Sequence, residues 1–215
     1  IGAGTGKATA SLLARGARVT AVEAGPNMAV FLRRKFSTHD RLEVLNATFE
    51  DADLPGGAFD LVFPATSWHW VNPEVRLRRA HDVLAADGLL AIVSTNQIAA
   101  ETDRGYFARS QAVYRRYFPE EDEPHAHGED VVPEEFEEIR ASPLFGSPEL
   151  SRYRWDQTYS TEDYADLMRS YSNMQMMPEA DRESLIGELS EVIDSEFGGS
   201  VTRPLVITLT LAIRE

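Results

Sequence analysis

Glycines alternate at Gly2, Gly4 and Gly6, and a single carboxylate, Glu23, closes the apolar run that follows from Arg18. Glycine has no Cβ, so a turn built this way can take φ > 0 and let a ligand lie directly on the backbone. The free N–H groups at the start of the next helix face whatever sits there. A carboxylate at the end of the next strand can accept hydrogen bonds from two neighbouring ribose hydroxyls. Residues 1–23 therefore read as a nucleoside-binding β-turn-α-β unit. A second group of chemically useful side chains is Thr66-Ser67-Trp68-His69-Trp70. His69 titrates near neutrality, which suits a base for an acceptor that must lose a proton. Lining a pocket or bonding its own loop is the other reading of His69. Trp68 and Trp70 offer π faces to a cation, or core packing. Tyr106 and Tyr171 are further pocket candidates on helical stripes. His125-x-His127 has no third ligand in reach, so a solvated loop is expected there and no metal site.

Spacing narrows the nucleoside. The dinucleotide fingerprint G-x-G-x-x-G needs glycine at position 7, where Lys7 stands. Gly2-Ala3-Gly4-Thr5-Gly6 is instead G-x-G-x-G, and it resembles motif I of the class I S-adenosylmethionine methyltransferases. The resemblance implies that Gly2, Ala3, Gly4, Thr5 and Gly6 pass the methionine part of S-adenosylmethionine, with S-adenosylhomocysteine as product. It implies that Glu23, followed by Ala24, holds the ribose. Met28, one turn on, either covers the adenine face or packs in the core. Phe49 and Glu50, with Asp51 beside them, fall where that family meets the adenine edge. Phe59-Asp60-Leu61-Val62-Phe63-Pro64-Ala65 resembles the family's motif IV. In open parallel sheets the residues just past such a strand line the ligand crevice, here Ala65, Thr66, Ser67, Trp68, His69, Trp70 and Val71. The His-Trp pair ahead of Asn72-Pro73 resembles small-molecule methyltransferases of the type 11 group. Leu84 to Val93 resembles a late motif of the family, with Asp87 in place of a glycine, a turn that Asp can make because it tolerates the αL conformation. The family has a helix and most of a first strand ahead of the glycines, so more chain is expected before Ile1.

Periodicity supplies the elements that hold these groups. Helical spacing runs from Lys7 to Arg15 and again from Gly25-Pro26, where proline suits the first turn. Strands are expected at Arg18–Glu23, Leu42–Thr48, Phe59–Ala65 and Leu89–Thr95. A helix between the last two carries Leu77, Ala80 and Leu84, with Asn72 as its cap. Tyr106, Phe107, Ser110, Val113, Tyr114, Tyr117 and Phe118 recur as a helix. An acidic, proline-rich stretch, Pro119 to Glu138, begins as a loop and carries a short helix at Pro133–Ile139. Leu150–Tyr159 alternates as a half-exposed strand. Ser160-Thr161-Glu162-Asp163 resembles a capping box ahead of a helix. Another helix spans Ala180–Phe197, and alternation from Leu205 to Ile213 marks the last strand.

Together with the resemblance, this order implies an α/β, Rossmann-like, seven-stranded, mostly parallel sheet with an antiparallel C-terminal edge pair and helices on both faces. One domain over residues 1–215 is expected, with lid-like insertions at 96–145 and 160–199. At 215 residues and 43% hydrophobic content the chain can bury a full core. A net charge of −14 opposes a phosphate backbone, so nucleic acid is not expected as a partner. No apolar run is long enough to span a bilayer, so no membrane partner is expected. The absence of cysteine excludes disulfides, thiolate metal sites and a cysteine nucleophile, and fits a cytoplasmic location. The resemblance thus implies methyl transfer to a small molecule, with oligomeric state open. A binding protein of the same fold without catalysis and an NAD(P)-dependent oxidoreductase are the alternatives.

Overall fold

Helix α1, Lys7–Ala14, springs directly from the glycine turn and buries Thr9 and Leu13. Strand β1, Val19–Val22, pairs in parallel with β2, Leu42–Leu45, Val19 lying opposite Leu42. Between them runs α2, Pro26–Lys35, with proline at its start and Arg33, Arg34 and Lys35 in its last turn, where cations favour the helix dipole. Leu13, Leu32 and Phe36 pack together on this side, against Val19, Leu42 and Val44. The protein is described by a computed structural model covering residues 1–119 and 127–215. His125 and the middle of the acidic stretch lie outside the described residues.

Strand β3, Phe59–Val62, pairs in parallel with β4, Leu84–Gln97. Helix α3, Arg76–Val83, joins them. It begins later than Asn72 predicts: Asn72 Oδ1 accepts the Glu74 N–H at 2.9 Å, forming a turn ahead of the helix. Asp87 takes φ 59°, the left-handed turn expected of it. Strand β6, Ser200–Ile213, runs antiparallel to β4, since the Arg214 N–H bonds Gly88 O and the Ile98 N–H bonds Pro204 O. Strand β5, Glu149–Ser160, is the outer neighbour, antiparallel through Phe145 and Arg214. On β6 the fully buried face is Val206, Thr208, Thr210 and Ala212, while Leu205, Ile207, Leu209 and Leu211 are half-buried. A strand covered on both sides carries no clean apolar-polar alternation, which is why its large residues do not mark the inner face.

The expected seven-stranded sheet is not what the described residues form. Six strands lie in two sheets, one of order β1-β2 and one of order β3-β4-β6-β5. The reason is local to the opening of the chain. Gly2 N–H donates to Val22 O at 2.8 Å, at the end of β1. Ile1 N donates to Phe63 O at 3.1 Å, just past β3. Ile1 and Gly2 thus stand between β1 and β3, but two residues are too few for a strand.

The chain divides into two compact units. Unit 1 holds Ile1–Thr95, Val132–Arg152 and Ile207–Glu215. Its main core gathers Phe49, Val62, Trp68, Val83, Leu90, Ile92, Ile139 and Phe145. Helix α5, Glu134–Arg140, belongs to this unit, although the sequence places it within an insertion at 96–145. Unit 2 holds Asn96–Val131 and Tyr153–Val206. It packs α4, Tyr106–Tyr117, α6, Thr161–Ser170, α7, Ser172–Met176, and α8, Glu179–Phe197, around Met168, Met174, Leu185, Leu189 and Ile193. Ser160 caps α6 as predicted, its Oγ accepting the Asp163 N–H at 3.1 Å. No helix among the described residues is long and apolar enough to cross a membrane.

Candidate cofactor and acceptor site

The three glycines differ in what they face. All take left-handed backbone, with φ 61°, 52° and 76° at Gly2, Gly4 and Gly6. A Cβ on Gly2 would lie 2.5 Å from Ser67 Cβ, and one on Gly6 would lie 2.5 Å from the Phe36 ring and 2.7 Å from Leu32 Cδ2. Those two glycines are required by the protein's own packing. A Cβ on Gly4 would meet only Gly2 O, at 4.0 Å. Gly4 therefore has open space on its Cβ side, the one position of the three where an added carbon would meet nothing close.

Glu23 ties this turn to α2. Its Oε2 accepts the Gly4 N–H at 2.8 Å and its Oε1 accepts the Gly25 N–H at 2.9 Å. An ionised carboxylate has about four acceptor positions, so both oxygens retain capacity for ribose hydroxyls. Ala24 is exposed beside it, and Met28, 40% exposed, packs on Gly25 next to the same carboxylate. Two supporting residues had no sequence signal. Asn46, just past β2, donates to Glu23 O at 2.9 Å and Ala24 O at 3.1 Å, fixing the strand end. Lys35 Nζ donates to Thr5 O at 2.6 Å and braces the glycine turn from α2. Ala3 is half-buried against the Leu13–Leu32–Phe36 cluster.

Phe49 is buried in the core, with the Arg79 guanidinium over its ring. Glu50 Oε1 accepts the Asn72 N–H at 2.7 Å, so this acid also anchors the loop after β3. Asp51 accepts the Thr48 hydroxyl at 2.9 Å.

The loop past β3 is held at both ends. Ala65 bridges Val93 in parallel, and the Thr66 N–H donates to Val93 O at 2.8 Å. Thr66 takes φ 56°, a strained conformation for a residue with a branched Cβ, and strain of this kind clusters at ligand clamps. Ser67 is buried and its Oγ donates to Ile1 O at 2.8 Å, joining this loop to the glycine turn. Trp68 lies in the core, 3% exposed, beneath the Arg76 guanidinium at 5.4 Å. Trp70 is 62% exposed and leans on His69, ring centroids 5.1 Å apart. Arg76 grips Glu138 of α5 through Nε at 3.0 Å and Nη2 at 2.6 Å, and also donates to Trp68 O at 3.3 Å. From the same helix, buried Glu135 accepts the Ser94 hydroxyl at the end of β4. Protein packed around the His69 ring holds its pKa below the ordinary histidine value. The Glu135 carboxylate pulls it upward and the Arg76 charge pushes it down. His69 is thus neutral at physiological pH, the form in which it can take a proton.

Unit 1 therefore brings together the glycine turn, Glu23, Ala24, Met28, Ala65, Thr66 and the His69 loop. Tyr106 and Tyr171 belong to unit 2, Tyr106 fully buried in its core and Tyr171 bonded to Arg203. No group of three potential metal ligands occurs among the described residues.

Residues 1–92 match a family model described as a methyltransferase domain. Under half of the chain is thus similar to a methyltransferase domain. A relative from Mycobacterium bovis, "Uncharacterized methyltransferase Mb3374", is 37% identical over 93 residues, which are 43% of this chain and 37% of that one. The match thus spans well under half the length of that curated relative. A putative methyltransferase from Bacillus halodurans superposes with a TM-score of 0.61 at 16% identity, covering 99% of this chain and 89% of the other. Geranyl diphosphate C-methyltransferase from Streptomyces coelicolor, solved with geranyl diphosphate and S-adenosylhomocysteine, superposes with a TM-score of 0.50 at 16% identity, covering 100% and 70%. At these identities the structural likeness concerns the fold.

The glycine turn and Glu23 offer the backbone and acceptor groups that an S-adenosyl nucleoside would use. An open face at Gly4 and a carboxylate with spare acceptor capacity at Glu23 are what an amino-acid-bearing nucleoside requires.

Proposed function

We propose that the protein transfers the methyl group of S-adenosylmethionine to a small-molecule acceptor. The observation that carries this reading is the pairing of Gly4 with Glu23: one glycine bare toward open space, hydrogen-bonded to the one carboxylate at the end of β1. In this reading Gly2, Ala3, Gly4, Thr5 and Gly6 pass the methionine moiety and Glu23 and Ala24 take the ribose. Met28 covers one face of the adenine, while Phe49 and Glu50 border its edge. Ala65 and Thr66 form the floor beside the methyl group, and His69 and Trp70 face the acceptor. The sulfonium supplies an already activated methyl, so the protein's share is to align the acceptor in line with it and to exclude water, which accounts for much of the barrier in such displacements. Neutral His69 takes the proton of an acceptor that must lose one. Ile1 and Gly2, bonded to Val22 and Phe63, are read as the end of the strand that completes a seven-stranded sheet.

The acidic balance favours small molecules over nucleic acid as acceptors. The absence of cysteine excludes a C5-cytosine mechanism. The residues after β3, Pro64-Ala65-Thr66-Ser67, lack the Asn/Asp-Pro-Pro-Tyr pattern of amide and exocyclic-amine methylation. Incubation with methyl-labelled S-adenosylmethionine and a metabolite extract tests the proposal. Label in small-molecule products, lost in Gly4→Ala, is the expected result. Binding of S-adenosylhomocysteine with no labelled product from any extract would favour a non-catalytic binding protein instead.

A further inference from the structure

Strand β5 ends its sheet, and among the described residues no other strand pairs with its outer edge. Its register on β6 fixes which backbone groups face outward. The Thr161 N–H donates to Gly199 O at 3.2 Å, and the Thr158 and Thr202 hydroxyls meet at 2.9 Å. Both contacts give one register, with Thr158 opposite Thr202 and Trp155 opposite Leu205. The Ile98 N–H donates to Pro204 O at 3.0 Å, so Pro204 turns its backbone toward β4. Arg203 and Leu205 then turn theirs toward β5. Antiparallel residues face each other alternately. Trp155 and Gln157 therefore direct their backbone groups to β6, while Arg154, Asp156 and Thr158 aim N–H and C=O away from the sheet.

Open strand edges are normally blunted by proline, lysine, a bulge or a covering segment. Residues 153–160 contain no proline, glycine or lysine. Tyr153 and Trp155 stand on one face, 56% and 54% exposed. Tyr159 shares that face but is covered by Tyr164 of α6, with ring centroids 6.1 Å apart. The other face carries Arg154 and Asp156, ion-paired at 3.0 Å, with Glu129 also on the guanidinium. Strand β5 holds two arginines and two acids, and so is neutral in a chain of net charge −14. Two copies repel each other over most of their surface but not along this strand. A twofold axis normal to an antiparallel pair of identical strands keeps each face on its own side, so it passes beside one residue, not between two. Centred on Arg154, it would oppose two guanidinium groups. Centred on Trp155, it sets each Arg154 opposite the second copy's Asp156, in hydrogen-bonding positions. Trp155 then meets its own copy where side chains stand closest, with Tyr153 diagonal to it and within aromatic reach.

We propose that β5 is a self-association edge: it pairs antiparallel with β5 of a second copy of this chain, about a twofold axis at Trp155. The interface does not rest on the methyl-transfer reading. One strand from each side makes a small interface of the transient class, so sedimentation velocity is run up to about 100 μM. The parent protein sediments with twice the mass of one chain at the upper end. Arg154→Asp and Asp156→Arg each place like charges across the axis, and each weakens the dimer by about tenfold or more. Mixed in equal amounts they restore it, because both cross-strand pairs are then opposite in sign. Register is read by cysteine, which the chain otherwise lacks. Trp155→Cys closes an intermolecular disulfide on mild oxidation, its two copies lying within bonding reach across a pair of this kind. Tyr153→Cys does not, its copies standing four residues apart along the strand, about 13 Å. A parent that stays monomeric at about 100 μM would overturn the proposal without any variant having to fold. A dimer undiminished in Arg154→Asp, a mixture that stays monomeric, or cross-linking at 153 as readily as at 155 would overturn it equally.

Discussion

A single methyl group at Gly4 separates binding from folding. In Gly4→Ala the added Cβ meets nothing of the protein closer than Gly2 O at 4.0 Å, so the direct cost is holding a non-glycine residue at φ 52°. That costs about 1–2 kcal/mol, which in a chain of this size lowers Tm by about 2–8 °C. In the proposed reading the same Cβ stands where the cofactor meets the backbone. Overpacking by one methyl costs about 1–3 kcal/mol, a loss of about 5- to 150-fold in affinity. Gly6→Ala is the contrast. There the Cβ would lie 2.5 Å from the Phe36 ring and 2.7 Å from Leu32 Cδ2, both in the core beside α1. The backbone cost and the core clash add, so Gly6→Ala melts about 4–20 °C lower than the parent. Differential scanning fluorimetry and isothermal titration with S-adenosylhomocysteine read the two effects separately. Gly4→Ala stays folded and loses binding, whereas Gly6→Ala loses stability first. Equal affinity in Gly4→Ala and the parent would refute the reasoning, because the open face at Gly4 would then not be the ligand's face.

Other perturbations follow from the same geometry. Glu23→Gln keeps the shape but turns one acceptor into an amide donor facing the Gly4 or Gly25 N–H, so affinity for S-adenosylhomocysteine falls by about tenfold or more in calorimetry, each lost charged hydrogen bond being worth about 1.5–3 kcal/mol. Because the His69 pKa is lowered, the acidic limb of a pH–rate profile lies below the ordinary histidine value, with activity rising as pH increases through it. Glu135→Gln removes the carboxylate that pulls the pKa up and moves that limb to still lower pH, and a limb that moves the other way would contradict the assignment. Stability carries the same sign: the unfolded chain binds the His69 proton more readily, so this group's contribution grows as pH rises through the window between the two values. Arg76→Met strands Glu138 against the Trp68 loop and lowers Tm by several degrees, by about 1–3 kcal/mol on thermal denaturation.

Much of unit 1 was legible because its signals are local. Glycine spacing, a terminal acid and strand-helix alternation each follow from neighbours in sequence, and Pro26 and Asp87, like Ser160 in unit 2, do what their backbone chemistry demands. The residues that brace the site were not legible. Asn46, Lys35, Ser67 and Arg79 act by side-chain bonds to distant backbone carbonyls, and such bonds leave no period in a sequence. Trp68 and Trp70 look equivalent on paper, yet one is core and the other exposed, because the loop turns as a single 3₁₀ turn between them. Arg203 gave no signal at all: it sits inside an apolar alternation, and only the fold brings it to Gln97 and Tyr171.

The most direct measurement is calorimetry of the intact protein with S-adenosylhomocysteine beside NADH. Saturable heat with the first and none with the second is predicted, from the open backbone at Gly4 and the carboxylate of Glu23. Heat with NADH alone, or with neither, would contradict the placement of an S-adenosyl nucleoside on the glycine turn.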